Sequence, residues 1–351
     1  MTEEKLLLYL NEIIQTIYER IANSDLSKEK QAKKLIEEIH YLLDQFGLAV
    51  DQVIPEAIIR EYFGGVDGAT KALKDLKIKT RPISRLVHKE AVQNIMDDTL
   101  LDMHAAIRTA KVSARKSITG TLQEVKADLA KGIITGDTRK AIQKRVAHSF
   151  QRDGLTSFVT IDDRKLPLDF YSMTVTRTKM RDATVTGSVE RYKENEQDLV
   201  QIIENSDTCP VCARYSGLVV SLTGKTPGYP VVGENDIQLP PYHPNCRGSV
   251  RPYVIEFKTE SEIQEVKRRN TAYAPDKDPR TPQQRKAYER EQEARRKANA
   301  EKKQFSRWQA VMGEDNFKTL GAFRRAKRTN SVRFQELQAE YKRIMREVLK
   351  K

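Results

Sequence analysis

The sequence contains the motif Cys209-Pro210-Val211-Cys212, which is followed further along the chain by His243-Pro244-Asn245-Cys246. The chain has three cysteines, and all of them lie in these two short motifs. A tight turn at each motif brings its two side chains to one point, and tetrahedral Zn²⁺ accepts three thiolates with one imidazole. Four protein ligands leave no position for a water molecule. The pattern therefore predicts a closed, structural zinc site at Cys209, Cys212, His243 and Cys246.

Two other arrangements of these residues are open at this point. One is three buried thiols beside a hydrogen-bonded histidine, with no metal, and the other is a degenerate site that has lost its metal. A disulfide framework is disfavoured because the number of cysteines is odd and the compartment is expected to be reducing. Asp207, two residues before the first cysteine, is placed to accept hydrogen bonds near the site. The remaining histidines lie in helical patterns and receive no ligand role: His40, His88, His104 and His148.

The residues around the two motifs, 153–257, predict a small α+β unit. Short alternating apolar runs are typical of strands, and one longer run has helical spacing. A loop rich in proline and glycine, Gly224–Pro241, separates the motifs and offers little apolar surface to bury. Structural zinc contributes on the order of 10 kcal/mol to the folding of small peptides, so the metal is expected to staple this unit. The expected strands are Ser157–Ile161, Leu166–Leu168, Leu199–Ile203, Leu218–Ser221 and Gly248–Val254, and the expected helix is Leu168–Glu194.

The first part of the chain, 1–152, predicts a helical region. Apolar residues recur every three or four positions from Leu10 to Ile21 and again from Leu35 to Phe46. The pair Gly64-Gly65 predicts a break in the stretch that follows. These apolar stripes carry no chemistry, and they predict core surfaces or surfaces that dock a partner. The later helical patterns are Ser84–Lys131 and Thr138–Ser149.

The last part of the chain, 258–351, predicts a basic helical arm. From Ser261 to Lys351 there are 25 Lys and Arg residues against 13 Asp and Glu, a net charge of +12 out of the chain's +13. After a linker at Ala274–Pro279, Thr281-Pro282 predicts a helix start, and the next residues carry hardly a large apolar side chain. Such a segment binds a polyanion or an acidic protein face, or it is a solvated arm. A final helix is predicted from the stripe Leu337, Tyr341, Ile344, Met345 and Val348.

Composition and motifs disfavour several classes of protein. No apolar run approaches the roughly 20 residues that a membrane helix needs, so no membrane contact is expected. The start of the chain lacks the order of a secretory signal, which predicts a cytoplasmic place of synthesis. No phosphate loop, Ser/His/Asp motif or HExxH motif occurs, so no catalytic residue is assigned and no enzyme is expected. The expected fold class is α+β and mostly helical, in the three regions described.

The order of residues from Gly154 to Tyr253 resembles the phage minor capsid protein 2 family, which is related to the Mu-type F head-morphogenesis proteins. No single motif is specific, and the resemblance rests on their order and spacing. A weaker likeness continues to Trp308, so about half of the chain is covered, and Gly248 departs from the residue that many relatives carry. The matching residues are Phe158-Val159, Asp162, Asp163, Arg164-Lys165, Tyr171-Ser172-Met173, Arg177-Thr178, Asp198-Leu199-Val200, Gly217, Ser221, both cysteine motifs, Arg247 and Pro252-Tyr253.

The resemblance implies a minor head protein of a tailed phage or prophage, present in few copies. It implies the portal and the major capsid protein as partners, a final place in the virion, and assembly in the bacterial cytoplasm. It also implies a part in head assembly, DNA packaging or ejection. The basic arm suits a contact with packaged DNA that does not depend on base sequence.

Two other functions remain open on the sequence alone. One is a cytoplasmic zinc-containing nucleic-acid-binding protein, although residues 213–242 separate the ligand pairs where zinc fingers use about 12 residues. The other is an enzyme, a nuclease or a transferase. A nuclease is disfavoured because His243 has no acidic pair beside it to form a two-metal site.

Overall fold

The structure is a computed structural model that describes residues 3–130, 138–205, 208–312 and 316–349. The predicted helix end at Lys131 and the predicted hydrogen-bonding residue Asp207 lie outside these ranges. Within the described residues most of the chain is helical, with a few short strands. The prediction of a mostly helical α+β fold is confirmed, and the zinc within it stays a proposal.

Ten α-helices occur in the part of the chain that the structure describes. Helix α8 begins as predicted: Thr281 Oγ1 accepts a hydrogen bond from the Gln284 amide at 3.3 Å, and Gln284 Oε1 accepts one from the Thr281 amide at 2.8 Å. These reciprocal bonds satisfy amide groups that a helix start leaves without partners. The helices are α1 (Glu3–Asn23), α2 (Glu29–Asp75), α3 (Arg85–Ala130), α4 (Thr138–Ser149), α5 (Leu168–Glu194), α6 (Pro210–Tyr215), α7 (Glu260–Thr271), α8 (Pro282–Met312), α9 (Leu320–Arg328) and α10 (Val332–Leu349).

The described strands form two small antiparallel sheets. Strands β1 (Thr156–Val159) and β2 (Lys165–Pro167) make a hairpin. Strand β3 (Leu199–Ile203) lies between β4 (Val219–Ser221) and β5 (Ser249–Pro252), in the order β4-β3-β5. All five predicted strands are confirmed, with ends shifted by at most two residues. The central strand β3 buries Leu199, Val200 and Ile202 in apolar clusters, whereas Ile203 at its end is exposed.

The described residues group into two compact units, each assembled from segments that are far apart in the sequence. Unit 1 takes Glu3 with residues 51–102 and 173–292, and unit 2 takes residues 4–50, 103–172 and 293–349. Helices α1, α2, α3, α5 and α8 contribute residues to both units, α1 only through Glu3. The three regions predicted from the sequence, 1–152, 153–257 and 258–351, stay a prediction.

In unit 1, Gly64-Gly65 lies inside helix α2, which corrects the predicted break. The reason is the close approach of helix α5. A Cβ atom on Gly65 would lie 2.1 Å from the Thr184 carbonyl oxygen, and one on Gly187 would lie 2.1 Å from the Tyr62 carbonyl oxygen. Each glycine therefore lets the backbone of the opposite helix approach, which a side chain at that position would prevent.

A buried polar network lies beside this glycine contact in unit 1. His88 is fully buried, with Nδ1 2.9 Å from the Tyr62 hydroxyl and Nε2 3.1 Å from Glu194 Oε2. Arg191 donates to the same Glu194 oxygen at 2.8 Å and to Thr70 Oγ1 at 2.9 Å. Burial opposes ionisation of Glu194, but the Arg191 hydrogen bond and others outweigh it and lower the pKa. The sequence assigned His88 no role, and the structure gives it a structural one.

In unit 2, the N-terminal helices bury the predicted apolar stripes. Five large side chains at helical spacing on α1 and α2 have almost no exposed surface: Leu10, Ile17, Leu35, Ile39 and Phe46. Their burial removes apolar surface from water and accounts for these helices as core elements. None of the described helices is long and apolar enough to cross a membrane.

The C-terminal helices of unit 2 bury a second, aromatic cluster. Trp308 of α8 is 2 % exposed and lies 5.3 Å from the Phe323 ring of α9 and 5.3 Å from the Phe334 ring of α10. Leu337 and Ile344, which belong to the predicted stripe of the last helix, are buried in the same cluster. Helix α9 itself was not predicted. The last part of the basic arm therefore has a core of its own.

Candidate metal centre

Cys209 and Cys212 lie at the start of helix α6, in unit 1. Cys209 is the N-cap residue, with an extended backbone (φ −73°, ψ 166°), and Pro210 follows at the first helical position. The Cys212 amide donates a hydrogen bond to Cys209 Sγ at 3.4 Å. Because proline fixes φ and the sulfur replaces a capping oxygen, the local sequence itself turns both thiols to one side.

His243 and Cys246 lie in the loop that precedes strand β5. The Cys246 amide donates to the His243 carbonyl oxygen at 3.0 Å, and Asn245 between them has a φ of 62°. Asparagine adopts this left-handed conformation more readily than most residues. The Gly248 amide donates to Cys246 Sγ at 3.4 Å. The second motif is therefore a tight turn like the first, with an N–H group directed at a sulfur in both.

Two stacked tyrosines hold the motifs close together. The ring of Tyr215, at the end of α6, lies 4.1 Å from that of Tyr242, which directly precedes His243. The Tyr215 hydroxyl donates to the Asp236 carbonyl oxygen at 3.1 Å. Offset aromatic pairs of this kind contribute about 0.5–1.5 kcal/mol beyond the area that they bury. The loop between the motifs is thus fastened to the helix that carries the first cysteine pair.

The structure brings the four predicted ligands together around Cys212. Cys209 Sγ and Cys212 Sγ are each 3.0 Å from His243 Nε2, and Cys212 Sγ is 3.5 Å from Cys246 Sγ. In a tetrahedral site with bonds of about 2.3 Å to sulfur and 2.0 Å to nitrogen, such atoms are roughly 3.5–3.8 Å apart. The observed separations are up to about half an ångström shorter. A zinc ion fits this donor set after a small outward movement of the side chains.

The histidine ring has the orientation that a metal ligand requires. His243 Nδ1 lies 2.8 Å from the Pro244 carbonyl oxygen, which can only accept a hydrogen bond. A proton on Nδ1 can be donated to this oxygen, and in that tautomer the Nε2 lone pair is directed at the side of Cys209 and Cys212, where a metal ion would lie. A backbone carbonyl on the second ring nitrogen is the usual way in which proteins fix a metal-binding imidazole.

The three cysteine thiols differ in pKa. Hydrogen bonding to the Cys212 thiol, ahead of backbone N–H groups, lowers the pKa of Cys209 and of Cys246 to about 5. The same two contacts raise the pKa of Cys212. The thiolate is the form of cysteine that binds metals, so two of the three sulfurs are ready at neutral pH. A metal ion would displace the remaining proton from Cys212.

Glu204 is part of the same cluster, and the sequence analysis missed it. A carboxylate oxygen of Glu204 lies within 4.8 Å of the sulfurs of Cys212 and Cys246. Its Oε1 is buried without a hydrogen-bond partner among the described residues. Burial, and after it the charge of Cys246, raises the pKa of Glu204 to about 7. A buried carboxylate beside thiolates is compatible with a cation at this point. In the sequence, the only indication that Glu204 belongs to the cluster is its position directly after strand β3.

Arg280 ties the start of the arm to the loop that carries Cys209. Its side chain is 8 % exposed, and it donates to the Thr208 carbonyl oxygen at 3.3 Å and to Asp278 Oδ2 at 2.9 Å. The guanidinium also lies 4.9 Å from the Tyr288 ring of helix α8. A guanidinium suits this position because it presents several donors in one plane. The first residues of α8 are therefore fastened directly beside the candidate metal centre.

Comparison with known families assigns the chain to a class of protein. The model of one family of phage capsid proteins matches residues 4–318, which is most of the 351-residue chain. The chain is therefore a phage head protein, a component of the virion that associates with other head proteins. The family is described as phage minor capsid protein 2, and the chain belongs to it.

The extent of this match exceeds the expectation from the sequence. The resemblance in the sequence covers about half of the chain and has no signature before Gly154, whereas the family match begins at residue 4 and includes helices α1 to α4. Amphipathic helices vary freely in sequence while keeping their apolar spacing, so they offer few residues to recognise. No curated protein and no solved structure matches the chain significantly.

Proposed function

We propose that the protein acts near the portal of a tailed phage or prophage head, in head assembly and in DNA packaging or ejection. The observation that carries this proposal is the family match over residues 4–318. Its partners are the portal and the major capsid protein, and it joins the head in the bacterial cytoplasm. It is a structural protein and not an enzyme.

The cluster of Cys209, Cys212, His243 and Cys246 is part of the proposal as a structural zinc site. The ligand atoms face one another, and four protein ligands complete a tetrahedral zinc ion. The bound ion would link helix α6 to the loop before strand β5. These residues would hold the loops in place, and no residue of the cluster is assigned a catalytic role.

A measurement of metal content tests the zinc site. Purified protein should contain close to one zinc per chain, and the variant Cys212→Ser should lose it. Because structural zinc supplies on the order of 10 kcal/mol to small units, the variant should also become sensitive to protease between residues 154 and 254. Metal-free protein with the same digestion pattern as the metal-loaded protein would contradict the proposal.

The N-terminal helical region is proposed to dock to the portal or the inner capsid. On helix α2, Tyr41 is 62 % exposed and Leu48 is 57 % exposed, and their spacing of seven residues places them on one helix face. Leu8 of helix α1 is 61 % exposed. The exposure of large apolar side chains on a helix supports the proposal of a docking surface, since a partner helix or groove would bury them.

Co-expression with the portal protein tests this docking surface. The full chain should co-purify with the portal, and the variant Tyr41→Glu/Leu48→Glu should lose that association. A matched control is Phe257→Glu/Val332→Glu, which replaces two apolar residues that are 57 % and 72 % exposed outside the N-terminal region. Equal retention of the portal by both variants would show that the surface is placed wrongly.

The basic arm is proposed to contact packaged DNA. Its net charge of +12 over Ser261 to Lys351 supports the proposal, since Lys and Arg side chains that neutralise phosphates release counterions. Such a contact does not depend on base sequence. The alternative function, a cytoplasmic zinc-containing nucleic-acid-binding protein, would use the same arm. It differs in that the protein would act in the cytoplasm and not in the phage head.

A further inference from the structure

The basic charge of the arm is concentrated in one short stretch. Residues 316–335 contain six Lys and Arg residues and no Asp or Glu, so they carry a net +6 of the chain's +13. By contrast, residues 289–297 in helix α8 contain four basic and three acidic residues, a net of +1. The six cations of the first stretch are Lys318, Arg324, Arg325, Lys327, Arg328 and Arg333.

Helix α9 forms the centre of this stretch, and the aromatic cluster fixes its orientation. Thr319 caps the helix by accepting a hydrogen bond from the Ala322 amide at 3.1 Å. Phe323 is fully buried between Trp308 and Phe334. Because one face of the helix is held in the core, the side chains on the opposite face project outwards. The helix is already ordered, so binding a partner incurs no conformational entropy cost for folding it.

The cations of α9 divide into two sets. Arg324 pairs with Glu301 at 3.2 Å, and Lys327 donates to Gln304 at 2.8 Å, so both fasten α9 to helix α8. Arg325 and Arg328 are exposed, and within the described part of the chain neither pairs with a carboxylate. The division means that two guanidinium groups are available to a partner.

The outward face of α9 is also open to close approach. Positions 321, 325 and 328 fall on one side of the helix, opposite Phe323. Position 321 is a glycine, and a Cβ atom there would meet nothing nearer than Thr319 Oγ1 at 3.9 Å. Position 321 therefore adds no side chain to the face that carries Arg325 and Arg328, both of which are exposed.

We propose that the outward face of helix α9, centred on Arg325 and Arg328, binds the phosphate backbone of duplex DNA without regard to sequence. Duplex DNA carries a negative charge about every 1.7 Å along its axis, a density that suits a face with cations only. Guanidinium groups match phosphate oxygens in pairs of hydrogen bonds. The inference rests on the proposed function, which identifies the DNA as packaged phage DNA. It adds that one surface of the arm, the outward face of α9, makes the contact.

A salt titration with matched variants tests this surface. The full-length protein and a mixed-sequence DNA duplex would be titrated by fluorescence anisotropy between 50 and 300 mM NaCl. The variant Arg325→Gln/Arg328→Gln removes both outward cations and keeps good helix formers. Each lost phosphate contact flattens the slope of log K against log salt by about 0.9, so the slope should become shallower by about 1.8.

Two control variants distinguish binding through the α9 face from a general effect of net charge on DNA binding. Arg290→Gln/Arg296→Gln removes the same charge from exposed positions of helix α8 and should leave the slope unchanged. Arg325→Lys/Arg328→Lys keeps the charge and should retain the slope. Trp308 is the only tryptophan of the chain and lies in the core under α9, so an unchanged emission spectrum shows that the fold is intact.

Three results would overturn the inference. Equal flattening by the α8 and α9 variants would show that net charge, and not the α9 face, governs binding. No flattening by the α9 variant would exclude the face as a DNA contact. If the α9 variant kept its DNA binding but lost binding to acidic head proteins, the outward face of α9 would be a contact for a protein partner. None of these results bears on whether the protein is found in phage heads, so the proposed function is tested separately.

Discussion

At the scale of single residues, Asp198 organises the loop that follows strand β4. Its carboxylate accepts hydrogen bonds from Ser221 Oγ at 2.7 Å, from the amide and hydroxyl of Thr223 at 2.9 and 2.6 Å, and from those of Thr226 at 3.1 and 2.6 Å. Burial opposes ionisation, but these bonds outweigh it and lower the pKa of Asp198 to about 2. The loop is therefore ordered by a carboxylate that is ionised at neutral pH.

The variant Asp198→Asn should lower the free energy of unfolding at pH 7 by about 1–2 kcal/mol, since the amide keeps one acceptor and turns an N–H group towards other donors. A group with a lowered pKa stabilises the fold above its unfolded pKa of 3.8 and loses that effect towards pH 2. The difference between wild type and variant in chemical denaturation should be constant from pH 7 to 4 and shrink below. A difference that grows as the pH falls would contradict this role.

Glu204 gives a second prediction at this scale. If the ion is held by three sulfurs and one imidazole, Glu204 acts on it through charge and not as a ligand. Glu204→Gln should then weaken metal binding by about 10- to 100-fold, as changes next to metal ligands do, and leave the absorption spectrum of the cobalt-substituted protein unchanged. A changed cobalt spectrum would show that Glu204 is itself a ligand.

The candidate site could be predicted from the sequence because its parts are local. Each motif is a tight turn within four residues, and the types and spacing of its residues indicate zinc without knowledge of the fold. Glu204 and Arg280 could not be found in this way. They reach the cluster through the pairing of strand β3 and the path of the chain before helix α8, which depend on tertiary contacts.

At the scale of elements, the contact between helices α2 and α5 depends on two glycines. The variant Gly65→Ala would place a Cβ atom 2.1 Å from the Thr184 carbonyl oxygen, so the helices would have to separate. We expect a loss of about 1–3 kcal/mol in the free energy of unfolding, the usual cost of an overfilled contact. Urea denaturation followed by circular dichroism would measure it.

The neighbouring Gly64 is a matched control for this prediction. It is exposed in the same helix, and a Cβ atom there would meet nothing within 4 Å. Gly64→Ala should therefore stabilise the protein by about 0.5–1 kcal/mol, because alanine loses less backbone freedom in a helix. If both variants shifted the urea midpoint in the same direction, the glycine contact would not be the reason for Gly65.

The elements differ in how well the sequence could predict them. Helix α5 and the five strands follow from spacing that is visible over a few residues. The pair Gly64-Gly65 predicted a break because glycine usually interrupts a helix, and the actual cause, the approach of α5, lies more than 100 residues away in the sequence. Helix α9 has a clear amphipathic pattern, but it was missed because its nine residues are fewer than the roughly 11 to 18 over which helical spacing is normally recognised.

At the scale of the whole molecule, the chain combines membership of a capsid protein family with a division into two compact units. The chain belongs to the phage minor capsid protein 2 family over residues 4–318, and its units are assembled from interleaved segments. The N-terminal stripes, the metal cluster and the basic face of α9 are separate features of the described chain. We propose a separate role for each of them: docking to a head component, stabilisation by a metal ion and contact with DNA.

The protein content of purified phage heads decides whether this chain is a minor component of the head. Quantitative mass spectrometry of gradient-purified heads, from a lysate of the phage that encodes this chain, gives its amount relative to the major capsid protein. We expect the chain to be present in a small and constant number of copies per head. Absence from the heads, with abundant free protein in the same lysate, would contradict its role as a minor head component.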